Sequence, residues 1–201
     1  MCNWGTLERV REGRCDEARR TVEKFVSGER KDSRCLIVAA ACLQSKESWA
    51  ESIGLLEAAV ELDPLNKDVH YLLGVGLVKQ QRVGEAVAHF QLQIDATPEH
   101  DLAVAGLGLT LYQLNRHEEA IPYLRRVAEL DVLGEEPALA LADALIRESR
   151  DLADAEKWLD LAASRAPSDS RIHRVRSSLL MKQGDVEGAL KEMNLSRGIS
   201  K

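Results

Sequence analysis

Residues 71–98 read YLLGVGLVKQQRVGEAVAHFQLQIDATP, and residues 105–120 read AGLGLTLYQLNRHEEA. The two stretches share one register. Leu73-Gly74 returns as Leu107-Gly108 after 34 residues, and Ala86 returns as Ala120, Ala155 and Ala189 at spacings of 34, 35 and 34. Pro64, Pro98 and Pro167 keep the same beat, 34 and then 69 residues apart. One period carried by several residue types marks stacked units, each too small to bury its apolar face alone.

Within one unit, Leu73, Leu77 and Val78, then Ala86, Val87, Phe90 and Ile94, follow the i, i+3, i+4, i+7 spacing of two amphipathic helices. Polar turns join them at 79–84, at Asn115-Arg116-His117 and at 182–185. Gly184 is suited to a C-cap and Asp185 to an N-cap. The periodic prolines stop each second helix, because proline cannot continue it. Pro122 is expected in a first turn, where its missing N–H costs nothing. Gly74 and Gly108 fall mid-helix, at about 1 kcal/mol each relative to Ala. That cost predicts a close helix–helix approach, with Ala86 and Ala120 as the small partners.

These positions resemble the tetratricopeptide repeat family, a helix–turn–helix unit of the same period. The best copy, 67–100, has Leu73, Gly74, Leu77, Ala86, Phe90 and Pro98 where the family pattern wants them. The copy at 101–134 keeps Leu107, Gly108, Leu111, Ala120 and Leu124 but has Val132 in place of the proline. Further copies run over 33–66, 135–169 and 170–201, and residues 1–32 read as a degenerate first repeat. The resemblance implies an all-α fold, a right-handed α-solenoid forming one domain over 1–201, with about twelve helices.

Composition agrees and excludes much else. The chain is 45% apolar and only 4% aromatic, rich in Ala and Leu, with a net charge of −6. That is too apolar for disorder and too poor in aromatic residues for a β-sandwich. Glu8, Arg9, Arg11, Glu12 and Arg14 leave no room for a signal-peptide core. The longest apolar run, Leu36 to Leu43, is far short of the roughly 20 residues that span a bilayer. Cys35 and Cys42 lie two helical turns apart, about 10 Å, too far to bond each other. With Cys2 and Cys15 they are expected as free thiols in a reducing compartment. The cytoplasm is therefore expected, or the periphery of a membrane complex; a lipidated Cys2 is the alternative, should a leader have been removed.

Chemistry is sparse. His70, His89, His100, His117 and His173 show no metal-ligand spacing, and each is expected as a satisfied helix histidine. No phosphate loop and no nucleophile–base pair can be nominated, so neither catalysis nor a metal or cofactor is expected. A pI near 5.5 argues against nucleic acid. Residues 33–168 carry a net −10 while 169–201 carry +3, which suits a basic partner or a second copy.

The family resemblance implies a concave groove lined by the first helix of each repeat. Carried over residue by residue, it presents Ile37, then Tyr71, Val75 and Val78, then Leu109 and Tyr112. Leu139, Asp143 and Ile146 follow, and Arg171 and Arg174 close it. Some members bind chaperone C-terminal carboxylates through Lys, Asn and Arg at such places. Here Tyr71, Val75, Leu102, Ala105 and Gly106 stand there, and that clamp is absent. The expectation is a non-enzymatic scaffold or adaptor that takes a peptide or helix of another protein, its apolar stretch followed by carboxylates. The alternative is a structural protein that self-assembles into a homo-oligomer through its ends.

Overall fold

The computed structural model describes residues 33–64, 66 and 68–198. Among them are ten α-helices, one short 3-10 turn and no strand. The degenerate first repeat, with Cys2 and Cys15, lies outside the described residues. The helices are α1 (Ser33–Ser45), α2 (Trp49–Leu62), α3 (Val69–Lys79), α4 (Val83–Ala96), α5 (Asp101–Gln113) and α6 (His117–Val127). Then follow α7 (Glu136–Arg147), α8 (Leu152–Arg165), α9 (Ser170–Gln183) and α10 (Val186–Ser196). They form two compact units that meet in sequence between Ala103 and Val104, inside α5.

In the first unit α1 packs on α2, α2 on α3 and α3 on α4. Leu36, Ala39, Leu56, Ala59, Leu73, Leu77, Ala86 and Phe90 fill its core. The close approach at Gly74 is real, but its partner is the Phe90 ring rather than Ala86. Buried polar ties cross between helices. Gln44 Nε2 donates to Leu72 O at 2.8 Å, and Ser52 Oγ donates to Ala40 O at 3.0 Å. The Tyr71 amide donates to Gln93 Oε1 at 3.0 Å, so a side chain of α4 satisfies an orphan donor in the first turn of α3.

In the second unit α7 packs against α6, α8 and α9, and α9 against α10. Every residue from Pro137 to Ile146 is buried, so α7 is enclosed on nearly all sides. At Gly108 the neighbour is again not Ala120 but Leu124. Asp185 caps α10 by accepting the Gly188 amide at 2.9 Å, and Gly184 takes a left-handed φ of 88°, both as expected.

The turn inside each repeat repeats its backbone as well. Glu47, Gln81, Asn115, Ser149 and Gly184 all have positive φ, at spacings of 34, 34, 34 and 35 residues. Only the last is glycine. Pro64, Pro98 and Pro167 each stand two residues beyond their helix. Pro122 does not lie in a first turn: α6 begins at His117, so Pro122 is interior and deprives Glu118 O of its helical donor.

The expectation of free thiols also fails. Cys35 and Cys42 are both disulfide-bonded. Their spacing on α1 rules out a bond to each other but not to cysteines elsewhere in the chain. Among the described residues no helix is long and apolar enough to cross a membrane.

Candidate functional site

The expected groove residues fall into two sets, one in each unit. In the first, Ile37 on α1 and Tyr71, Val75 and Val78 on α3 are all half-buried. The Tyr71 ring lies 4.9 Å from His100 and 6.3 Å from Phe90, which hold it from two sides. Burial, aided by the Asp68 carboxylate, raises its phenol above the ordinary value.

Histidines build the edge of this surface. His70 Nε2 faces Pro64 O at 3.2 Å, and a carbonyl only accepts, so that nitrogen carries the proton. His70 Nδ1 is then the acceptor for His89 Nδ1–H at 3.1 Å. His100 Nδ1 accepts from the Ala103 amide at 3.0 Å, which leaves Nε2–H to donate to Asp68 Oδ1 at 3.1 Å. In the second unit His173, at the repeat position of His70, meets Glu192 at 2.7 Å, and Glu192 occupies the repeat position of His89. His70, His89 and His173 are satisfied helix histidines, while His100 stands one residue before α5 and is satisfied there as a cap of its first turn. His117 differs: its Nδ1 is buried without a partner, and its ring lies 5.3 Å from Tyr112.

The second set is more sharply built. Leu109 and Tyr112 on α5 are half-buried. Tyr112 Oη donates to Asp143 Oδ2 at 2.5 Å, and Arg147 Nε donates to the same oxygen at 2.6 Å. Burial first, then the Asp143 hydrogen bond, pushes the Tyr112 phenol up to about 12. Asp143 in turn holds the Arg147 guanidinium above its ordinary value. Asp143 itself is only 5% exposed, so Tyr112 and Arg147 rather than the carboxylate form the accessible surface here.

Three expected residues are placed differently. Leu139 and Ile146 are buried in the enclosed α7 and offer little open surface. Arg171 is engaged by Asp169, Glu136 and Glu135, its nearest contacts 2.6–3.3 Å away. Asp169 first, then Glu136, raises the Arg171 pKa, and in return Asp169 is held below its ordinary value, chiefly by Arg171. Glu135 and Glu136 therefore do more than favour a helix dipole: they tie the start of α7 to the start of α9. Arg174 is exposed. Arg147 was not among the expected residues, although its i,i+4 spacing from Asp143 was readable.

Sequence profiles of the tetratricopeptide repeat match residues 43–100, 77–131 and 111–179. The chain belongs to the tetratricopeptide repeat family. Several solved structures share the fold of this repeat protein. The crystal structure of YrrB, described as a TPR protein with an unusual peptide-binding site, is 21% identical with a TM-score of 0.78, covering 92% of this chain and 93% of that one. MamA AMB-1 is 22% identical with a TM-score of 0.73, covering 82% and 96%. MamA 41-end from Desulfovibrio magneticus RS-1 is 15% identical with a TM-score of 0.73, covering 86% and 97%. No curated protein matches the sequence. The all-α repeat-solenoid class expected from the period thus stands, and a protein-interaction role follows from the family.

Proposed function

We propose that this tetratricopeptide repeat chain is a non-enzymatic adaptor that holds a peptide or helix of another protein on the first helices of its repeats. The Tyr112–Asp143–Arg147 arrangement carries the reading. A half-buried tyrosine with its hydroxyl already satisfied presents apolar area at low entropic cost, as interface centres do. Tyr71, Val75 and Val78 offer a comparable apolar surface on the first unit. The fold shared with YrrB, whose description names a peptide-binding site, supports the same role. Affinity capture from the native host with wild type, Tyr71→Ala and Tyr112→Ala tests it. Loss of the same proteins from both folded variants is expected, and capture unchanged in both overturns the reading.

A second reading, self-assembly, is favoured by one observation. Leu56, Phe90, Leu124 and Leu159 share one repeat position and are 0–2% exposed, whereas Met193 at that position is 37% exposed. Val186, Leu190 and Leu195 on the same helix are exposed too. Light scattering at two concentrations, with Leu190→Lys as control, separates the readings: a concentration-independent monomer removes the second.

A further inference from the structure

Arg147 has spare capacity beside the Tyr112 surface, whereas several other arginines of the second unit are engaged. Arg116 is forked onto Glu119, Arg125 meets Asp154, Arg165 is spent on a loop, and Arg171 serves three carboxylates. Arg147 binds Asp143 through Nε alone, with its side chain 54% exposed. A guanidinium anchored at Nε keeps its outer nitrogens aligned as a fork, which suits a planar carboxylate. The orientation is enforced in relay, since Tyr112 Oη fixes the Asp143 oxygen on which Arg147 rests.

We infer that Arg147 receives an acidic side chain of the bound partner, next to an apolar residue seated on Leu109 and Tyr112. This rests on the adaptor reading above and names the chemistry of the segment. Charge decides what kind of anion it is. Residues 33–168 carry a net −10, which repels a dianion such as phosphate more strongly than a single carboxylate. The carboxylate offsets its smaller repulsion with two charge-assisted hydrogen bonds to the one fork. One fork with no second cation in its relay also suits a side chain better than a chain terminus. Arg171 and Arg174 were the cations expected for this task; Arg171 is already neutralised, and Arg147 lies beside the tyrosine.

The test uses immobilised apolar heptapeptides with amidated ends, each carrying one central Glu, beside matched sets with Gln and with phosphoserine. The wild-type chain should prefer the Glu set over the Gln set by about tenfold, the scale of a hydrogen bond to a charged group. Arg147→Gln should abolish that preference, Arg147→Lys should restore part of it, and Tyr112→Phe should weaken it, with circular dichroism melts confirming that each variant folds. Equal retention of Glu and Gln peptides by wild type overturns the inference and leaves the adaptor reading intact. Stronger retention of phosphoserine peptides overturns the choice of carboxylate. Retention of no set overturns both the inference and the reading beneath it.

Discussion

The Phe90 ring lies against Gly74 so closely that a Cβ there would stand 2.6 Å from Cε1. Phe90 is 2% exposed and cannot swing away into solvent. Gly74→Ala gains about 1 kcal/mol of helix propensity but should lose more through overpacking, typically about 1–3 kcal/mol. Gly54, also mid-helix, has nothing within 4 Å of its added Cβ. Urea unfolding should therefore show Gly54→Ala stabilised and Gly74→Ala destabilised. Equal shifts in both would mean that the α3–α4 contact is not tight.

The left-handed residue in each turn gives a second contrast. Gln81 and Gly184 share a repeat position and a positive φ, but only Gly184 adopts it without a Cβ clash. Left-handed backbone costs an L-residue roughly 1–2 kcal/mol, against about 0.5–1 kcal/mol of extra chain entropy lost by glycine. Gln81→Gly should raise the melting midpoint modestly, and Gly184→Ala should lower it. Asn115→Gly should change it least, because Asn tolerates this region.

Protonation should act at the His70–His89 contact. Burial, then the charge of His70, holds His89 below the 6.5 of a free histidine; Glu85 opposes this, and Arg82 adds to it. A depressed native value favours the neutral ring in the fold. The stabilisation is thus fully present above pH 6.5 and is lost as pH falls through the lower native value. Thermal melts from pH 7.5 to pH 5, values on the order of one unit either side of the free pKa, should show a drop in wild type that shrinks in His89→Gln. An identical drop in the variant would place the acid sensitivity elsewhere.

How much was legible follows from the range of each interaction. The period was readable because it lives in local choices: a glycine one residue after Leu73 and Leu107, an alanine in each second helix, a proline two residues past its end. Asp143–Arg147 was within reach by helix spacing, but Tyr112–Asp143 spans 31 residues and exists only once the repeats stack. Arg171 misled for the same reason, since Glu135 and Glu136 lie 36 and 35 residues before it. Pro122 misled because a proline suits a first turn best, whereas α6 begins five residues before it, at His117. The cysteines misled because helix geometry excludes one pairing and leaves the others open.

Those cysteines make the fourth expectation. With Cys35 and Cys42 both disulfide-bonded, an alkylating reagent under denaturing, non-reducing conditions should leave both unmodified. After reduction both should react. Replacing either with serine should cost about 2–5 kcal/mol, the usual loss for a structural disulfide. Labelling without reduction would restore the free-thiol reading.

Arg165 does for one repeat what proline does for the others. At the position of Pro98 and Pro167 stands Val132, which is 87% exposed on the 3-10 turn Asp131–Leu133. Arg165 Nη1 donates to Ala128 O at 2.7 Å and Gly134 O at 3.1 Å, and Nη2 donates to Glu129 O at 2.9 Å and Asp131 Oδ1 at 2.5 Å. Three of these acceptors are backbone carbonyls, so the guanidinium stitches the whole connection between α6 and α7. Its Nε is buried without a partner, a cost the other four bonds must exceed. Arg165→Met keeps the apolar stem and removes every bond, and hydrogen bonds to charged groups are worth about 1.5–3 kcal/mol each before non-additivity. A loss of roughly 2–4 kcal/mol is expected, with Arg165→Lys rescuing little because an ammonium cannot fork. Hydrogen exchange gives the local readout. The Leu133 and Gly134 amides donate within the turn, to Leu130 O and Asp131 O, and should lose protection first in the variant. If they stay protected while global stability falls, Arg165 acts through the α8 core and not through the turn.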